Sequence, residues 1–411
     1  MVSLAEQVKE QVSIPVIAVG RLQYPDLAES VLAENKADFI AMGRGLLTDP
    51  DLVNKVAADK QEEIIPCIGC HEGCIWQMAE GKPTSCALRP TTGHEIEWPL
   101  LPLEQEASLL VVGGGPAGIE AARAGVERGF DVTLWEATGQ LGGNLWPAAE
   151  PDFKLDISRY LAYLRHLVKR LPIEIVLNKR GTAQDITDFG ADYVVLATGA
   201  RMEKLPFQST DSVKVLTAID LLTGEEASRG ENILVMGGGL VGCETAVYLA
   251  RQGKKVTIST RRGKDKLGGD IVDRSNREML IAMINDAGIP VHDNSIPVRL
   301  ENGAIVLNAG RQTNDADDRS DRDELVDMIN ENAKDSAMAK SSDHMIAGEV
   351  VVAADSLVFA GRLLPQDVLA KELAEINGSA DNILSAGDCV KVDSIMNAVW
   401  GSFTAVREIA A

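Results

Sequence analysis

Short, uninterrupted apolar runs alternate with helical patterns along most of the chain. Near its start, "IPVIAVGR" (14–21) and "ADFIAMGRG" (37–45) have the continuity of strands buried on both faces of a parallel sheet. Around them, "LAEQVKEQV", "YPDLAESVLAENK" and "DPDLVNKVAAD" repeat their apolar positions at helical spacing. This βαβα order fills residues 1–60, a piece too small to stand alone. Residues 61–104 interrupt it with clustered cysteines and end in the two-proline linker "EWPLLPLEQ".

Beyond the linker the α/β alternation returns and contains an internal repeat. "LLVVGGGPAGIEAARAGVERGFDVTLWE" and "ILVMGGGLVGCETAVYLARQGKKVTIST" share glycine spacing, helix length and a following strand. The repeat predicts two dinucleotide-binding units of one kind, the first at 105–200 and 355–411 and the second at 201–354. An Asp-, Asn- and Ser-rich insertion at about 311–345 reads as a solvated surface segment. Its "DADDRSD" lacks the glycine and terminal Glu of a calcium loop, so no metal is assigned there.

In the first copy Gly113, Gly115 and Gly118 follow the strand "SLLVV" and open the helix "GIEAARAGVERG", and the next strand ends at Glu136. That order meets the demands of a bound pyrophosphate: a tight turn, close backbone approach at a helix N-terminus, close helix packing, and a carboxylate for ribose hydroxyls. The second copy carries Gly237, Gly239 and Gly242, but aligns Thr260 with Glu136 and continues into Arg261 and Arg262. A small hydroxyl followed by two arginines accepts a 2′-phosphate that a carboxylate would repel, which favours NADPH over NADH.

Charge removes some partners. With 61 acidic against 40 basic residues in 411, a net charge of −21, the chain has no broad basic face for nucleic acid or anionic lipid. No apolar run reaches the roughly eighteen residues of a membrane span, and "MVSLAEQVKEQVSIPVIAVG" carries polar residues where a signal peptide has its apolar core. A cytoplasmic location is expected.

In that reducing setting the segment "IPCIGCHEGCIWQMAEGKPTSCALRP" reads as a metal site rather than a disulfide framework. Cys67, Cys70, Cys74 and Cys86 follow the pattern C-x2-C-x3-C-x11-C and are four of only six cysteines. Four thiolates hold either a structural zinc or an iron–sulfur cluster. Three cysteines on one loop and a fourth returning alone suit a cube somewhat better than the paired hairpins usual for zinc.

The paired glycine motifs resemble those of flavoproteins with two dinucleotide-binding domains, the glutathione-reductase-like class. "EATGQLGGN", with Gly143 and Asn144, is similar to that class's acid-to-double-glycine segment beside FAD, "VVLATGA" to its crossover out of the FAD domain, and "NILSAGDC" to the late segment whose Asp388 holds the ribityl chain. The resemblance implies FAD in the first unit and the nicotinamide in the second. Cys243 and Cys389 read as small packing residues. A flavin neighbour favours the iron–sulfur reading, because a redox-inert ion has little to contribute there. His71 is expected beside the metal rather than as a ligand, and Trp76 as a shield against water.

"IPVIAVGRL" and "ADFIAMGRGLLTDPDL" resemble the last two strands of the flavin-dependent barrel of the Old Yellow Enzyme family, where Gly20 with Arg21 and Gly43 with Arg44 match the loops holding the FMN phosphate. Barrel end, cysteine segment, FAD unit and nicotinamide unit, in this order, resemble the 2,4-dienoyl-CoA reductase and 2-enoate reductase family. The chain departs from it at "CALRP", where Asn-Pro is expected, and at "CHEGC". Six of the eight barrel strands are absent, and with them the substrate pocket and the proton donors that the resemblance implies.

The fold expected is therefore α/β: the last two βα units of a TIM barrel, a cluster segment, and two Rossmann-like domains. The chain looks like the C-terminal part of a longer reductase, with its barrel remnant covered by a partner chain or a second copy. The resemblance implies a relay from NAD(P)H through FAD and a 4Fe-4S cluster to FMN, reducing the C=C bond of a small enoate, enone or acyl-CoA. The rival readings are an NADPH-dependent electron-transfer module like the small subunit of glutamate synthase, and an inactive nucleotide-binding fragment.

Overall fold

The computed structural model describes residues 1–203, 207–269, 274–301, 303–309, 348–377 and 381–410; the acidic insertion at 311–345 lies outside the described residues. The chain divides into two compact units, one of Met1–Ala149, Lys154–Ala200 and Pro365–Ala411, the other of Glu150–Phe153 and Arg201–Leu364.

The first unit is built on a parallel sheet ordered Ile383–Ser385, Tyr193–Leu196, Ser108–Val112, Asp131–Trp135, Glu174–Val176. Its central strand is an unbroken apolar run because both faces are covered, and Leu109, Leu110 and Val111 are fully buried. Helix Pro116–Arg128 starts with proline, whose missing N–H costs nothing there, and stops at Gly129 in the left-handed region (φ 96°). Helix Ile395–Arg407 packs on it, and Phe403 and Val406 join Leu109, Val111, Val132 and Leu134 in one core. Each such large side chain contributes about 1.5–3 kcal/mol by leaving water.

A second core forms on the amphipathic helix Leu155–Arg170. Its Ile157, Tyr160, Leu161, Leu164 and Val168 enclose Ile119 and Leu88, and Ile65, Ile68 and Cys86 pack against them. The cysteine segment is thus seated on the sheet unit. The front of the chain contributes strand Ile17–Val19, parallel to Phe39–Ala41 with helix Pro25–Ala33 between them. Ala18, Leu22, Val31 and Ala37 form its small core, whereas Ile17, Val19 and Phe39 are 60%, 55% and 58% exposed. Buried Asp49 accepts from Lys55 Nζ (2.6 Å) and the Ile65 amide (2.9 Å), binding this front piece to the cysteine segment.

The second unit has a parallel sheet ordered Val291–His292, Lys255–Ser259, Asn232–Met236, Ser356–Phe359, Lys214–Thr217. A three-stranded antiparallel sheet of Ser295–Glu301, Ala304–Ala309 and Glu349–Ala353 accompanies it. Strand Ser356–Phe359, assigned from the sequence to the first unit, belongs here: Leu357 and Val358 are fully buried beside Leu234 and Val235. An apolar run of this kind fits the centre of either sheet, so its pattern does not reveal its owner.

Candidate functional site

Cys67, Cys70, Cys74 and Cys86 line one cavity, together with Arg44, Thr48, Ile68, His71 and Leu88 among others. Two left-handed residues, Gly69 (φ 66°) and His71 (φ 63°), turn the chain between the first and third cysteines. The Trp76 amide then reaches back to the His71 carbonyl at 2.9 Å, a turn widened by one residue of the kind that recurs at functional sites. The returning arm is pinned at Gly73, whose carbonyl accepts from the Ser85 amide (2.6 Å) and hydroxyl (2.9 Å). A Cβ at Gly73 would stand 2.9–3.1 Å from Ser85 and Cys86, so only glycine admits the approach that brings Cys86 beside the other three.

Donors from outside the segment hold the loop. Gln23 Nε2 donates to the Cys67 carbonyl (2.8 Å) and Trp400 Nε1 to that of Cys86 (2.9 Å). All four cysteines are free thiols. Burial pushes the Cys70 thiol up to about 12 and raises Cys74 and Cys86. Among the described residues no three His, Cys, Asp or Glu side chains converge closely enough to hold a single metal ion. His71 lines the cavity; Trp76 is not among its lining residues and is 39% exposed.

The two glycine–arginine strand ends go different ways. Arg21, left-handed at φ 55°, sends its guanidinium to the carboxylate of Asp156, which also accepts from the Tyr24 hydroxyl. Gly20 (φ 125°) supplies the turn before it. Gly43 caps the short helix Arg44–Thr48 with nothing within 4 Å of its would-be Cβ, and Arg44 reaches the cysteine cavity.

In the first dinucleotide unit each glycine has its own task. Gly113 (φ 116°) and Gly118 leave no room for a Cβ against neighbouring backbone, whereas a Cβ on Gly115 would meet only the Cα of Gly143, at 3.9 Å. Gly115 therefore lacks the backbone crowding that fixes Gly113 and Gly118 as glycine. The double-glycine segment docks on this loop through the Gly142 amide, which donates to the Gly114 carbonyl (2.8 Å). Asn144 donates to the Ala200 carbonyl (3.1 Å). Glu136 is buried and accepts from the Gly114 amide (2.7 Å) and from the Thr138 amide and hydroxyl (2.7 and 2.8 Å). Gly387 (φ 75°) lets its segment lie on Ala117, setting Asp388 near the start of helix Pro116–Arg128, where burial raises its carboxyl above the usual range.

The second unit repeats this geometry. Gly237 and Gly242 are crowded by the backbone carbonyls of Ala360 and Gly237, while Gly239 has nothing within 4 Å. Thr260 is buried against Gly238. The repeat runs past the glycine motif: the Gly268 amide donates to the Gly238 carbonyl (2.9 Å), so Leu267-Gly268-Gly269 reproduces Leu141-Gly142-Gly143. The recurring "LGG" was the available signal. Arg261 and Arg262 follow Thr260 at the end of strand Lys255–Ser259.

Comparison with known proteins agrees with this layout. Residues 107–329 match the pyridine nucleotide-disulphide oxidoreductase family, and residues 2–63 the NADH:flavin oxidoreductase / NADH oxidase family. A cinnamate reductase of Clostridium sporogenes (strain ATCC 7955) is 35% identical over 98% of this chain and 54% of its own length. A metal reductase of Desulforamulus reducens (strain ATCC BAA-1160) is 42% identical over 61% of this chain and 38% of its own. The solved 2-naphthoyl-CoA reductase in complex with 2-naphthoyl-CoA superposes with a TM-score of 0.82 at 25% identity, covering 100% of this chain and 56% of that one. The chain thus spans about half the length of the cinnamate reductase. It belongs to the pyridine nucleotide-disulphide oxidoreductase family, and within it to the flavoenzymes like the 2,4-dienoyl-CoA and 2-enoate reductases.

Proposed function

We propose that this chain is the NAD(P)H-oxidising part of an iron–sulfur flavoenzyme that reduces an activated carbon–carbon double bond. The carrying observation is that four free cysteines line one cavity in a segment packed on the core of the first dinucleotide unit. Three of them on one loop and the fourth returning on a separate arm suit a 4Fe-4S cube better than a zinc ion. FAD held by the first dinucleotide unit would accept hydride from a nicotinamide held by the second, and a cluster held by Cys67, Cys70, Cys74 and Cys86 would supply a path for single electrons.

The chain's residues orient these groups. The open face of Gly115 at a helix N-terminus takes the FAD pyrophosphate, Glu136 the ribose hydroxyls, Asp388 the ribityl chain, and Gly143 and Asn144 close the far side. Gly239 does the same for the nicotinamide dinucleotide, with Thr260, Arg261 and Arg262 accepting a 2′-phosphate, which favours NADPH over NADH. Gly20, Arg21, Gly43 and Arg44 are the candidates for the FMN phosphate. The exposed Ile17, Val19 and Phe39 support a covering surface from further barrel strands or a partner subunit. The names of the relatives favour a conjugated acid or its CoA ester as substrate, and a thiol-rich cavity favours the reducing cytoplasm.

Anaerobic mixing with NADPH tests the reading. Bleaching of the flavin, followed by the paramagnetic signal of a reduced cluster, is the expected result. A protein that binds NADPH with its flavin unbleached contradicts it.

A further inference from the structure

Thr48 is 2% exposed on the wall of the cysteine cavity, and its Oγ1 lies 3.4 Å from Cys86 Sγ. The same hydroxyl donates to the carbonyl of Arg44, one helical turn earlier, at 3.0 Å. A hydroxyl has one hydrogen, and with it given to Arg44 the contact to Cys86 is filled by the thiol's own proton. A coordinated cysteine is a thiolate and has none. The contact then persists when Thr48 turns its hydrogen from the carbonyl to the sulfur, a rotation about one bond with no movement of the backbone. Buried as it is, that hydrogen bond meets no competing water.

Resting on the reading of the four cysteines as cluster ligands, we infer that Thr48 is a positioning residue that sets the reduction potential of the cluster through a hydrogen bond to Cys86. Reduction places extra negative charge on the ligating sulfurs, so a donor aimed at one of them stabilises the reduced state more than the oxidised one. The backbone amides of Leu88 and Arg89 also approach this sulfur, but they are fixed by the chain; Thr48 is the side-chain donor. It stands on helix Arg44–Thr48, immediately after the second of the front strands, so the barrel end reaches the cluster's electronics through one hydroxyl.

The test compares Thr48→Val, which keeps the shape and loses the hydrogen, with Thr48→Ser, which keeps the hydrogen. Iron content and the cluster midpoint, read by spectroscopically monitored redox titration, are measured on the whole chain. The expected result is wild-type iron in both, a wild-type midpoint in the serine variant, and in the valine variant a three- to tenfold shift of the redox equilibrium toward the oxidised form, tenfold being about 59 mV for one electron. Full iron with an unchanged midpoint in T48V overturns the inference, as does loss of iron in T48V alone, which would assign Thr48 to assembly instead. Wild-type protein without iron overturns the cluster reading itself, and this inference with it.

Discussion

Gly118 sits so close to Gly113 that a Cβ on it would fall 1.7 Å from the Gly113 carbonyl oxygen. Three residues before Gly118 in the motif, at Gly115, a Cβ would meet only the Cα of Gly143, at 3.9 Å. The glycines are therefore separable by experiment. Gly118→Ala is expected to destabilise the protein by about 1–3 kcal/mol or more through overpacking, read as a lower melting temperature. Gly115→Val should leave the melting temperature of flavin-free protein nearly unchanged and abolish flavin retention through gel filtration.

The second unit carries Thr260 where the first carries Glu136, the position on which the proposed NADPH preference rests. Thr260→Glu would place there the group that Glu136 supplies in the first copy, within reach of the Gly238 amide as Glu136 is of Gly114. The expected outcome is a fall of at least tenfold in kcat/KM for NADPH relative to NADH, about 1.4 kcal/mol of discrimination. Steady-state flavin reduction with each nucleotide measures it.

Asp156 joins the front of the chain to the first dinucleotide unit, accepting from Arg21 and Tyr24 while itself 8% exposed. A Cβ on Gly69 would lie 3.7 Å from the Arg21 guanidinium and 3.8 Å from the Asp156 carboxylate, so the pair abuts the cysteine loop. Asp156→Ala leaves both donors without their acceptor and is expected to cost about 1–3 kcal/mol in urea denaturation, the lower end because the Arg21 side chain is 62% exposed. Faster loss of iron to a chelator should accompany it.

Asp388 gives a dependence on pH. Burial raises its carboxyl in the folded flavin-free protein, so its contribution to stability is full below the ordinary value of 3.8 and is lost as pH rises through the raised one. At neutral pH the wild-type protein has lost that contribution. Asp388→Asn should then melt higher than wild type at pH 7 when flavin-free, with the difference vanishing in acid, and should hold flavin less tightly. Melting curves across pH with and without flavin provide the check.

The sequence displayed what repeats or clusters. Unbroken apolar runs announced the strands of both parallel sheets because burial on two faces removes any alternation, and four cysteines in one segment announced a shared cavity. What depends on distant partners was not legible. Arg21 and Asp156 are 135 residues apart in sequence, and Thr48 is a lone hydroxyl in a helix with no motif around it. Strand Ser356–Phe359 carried a pattern that either sheet accepts, and no residue type signals the widened turn from His71 to Trp76.

What the four thiols hold is decided most directly by elemental and cofactor analysis of anaerobically purified protein. About four iron, four acid-labile sulfide and one FAD per chain are predicted. One zinc per chain, with neither iron nor sulfide, would contradict it.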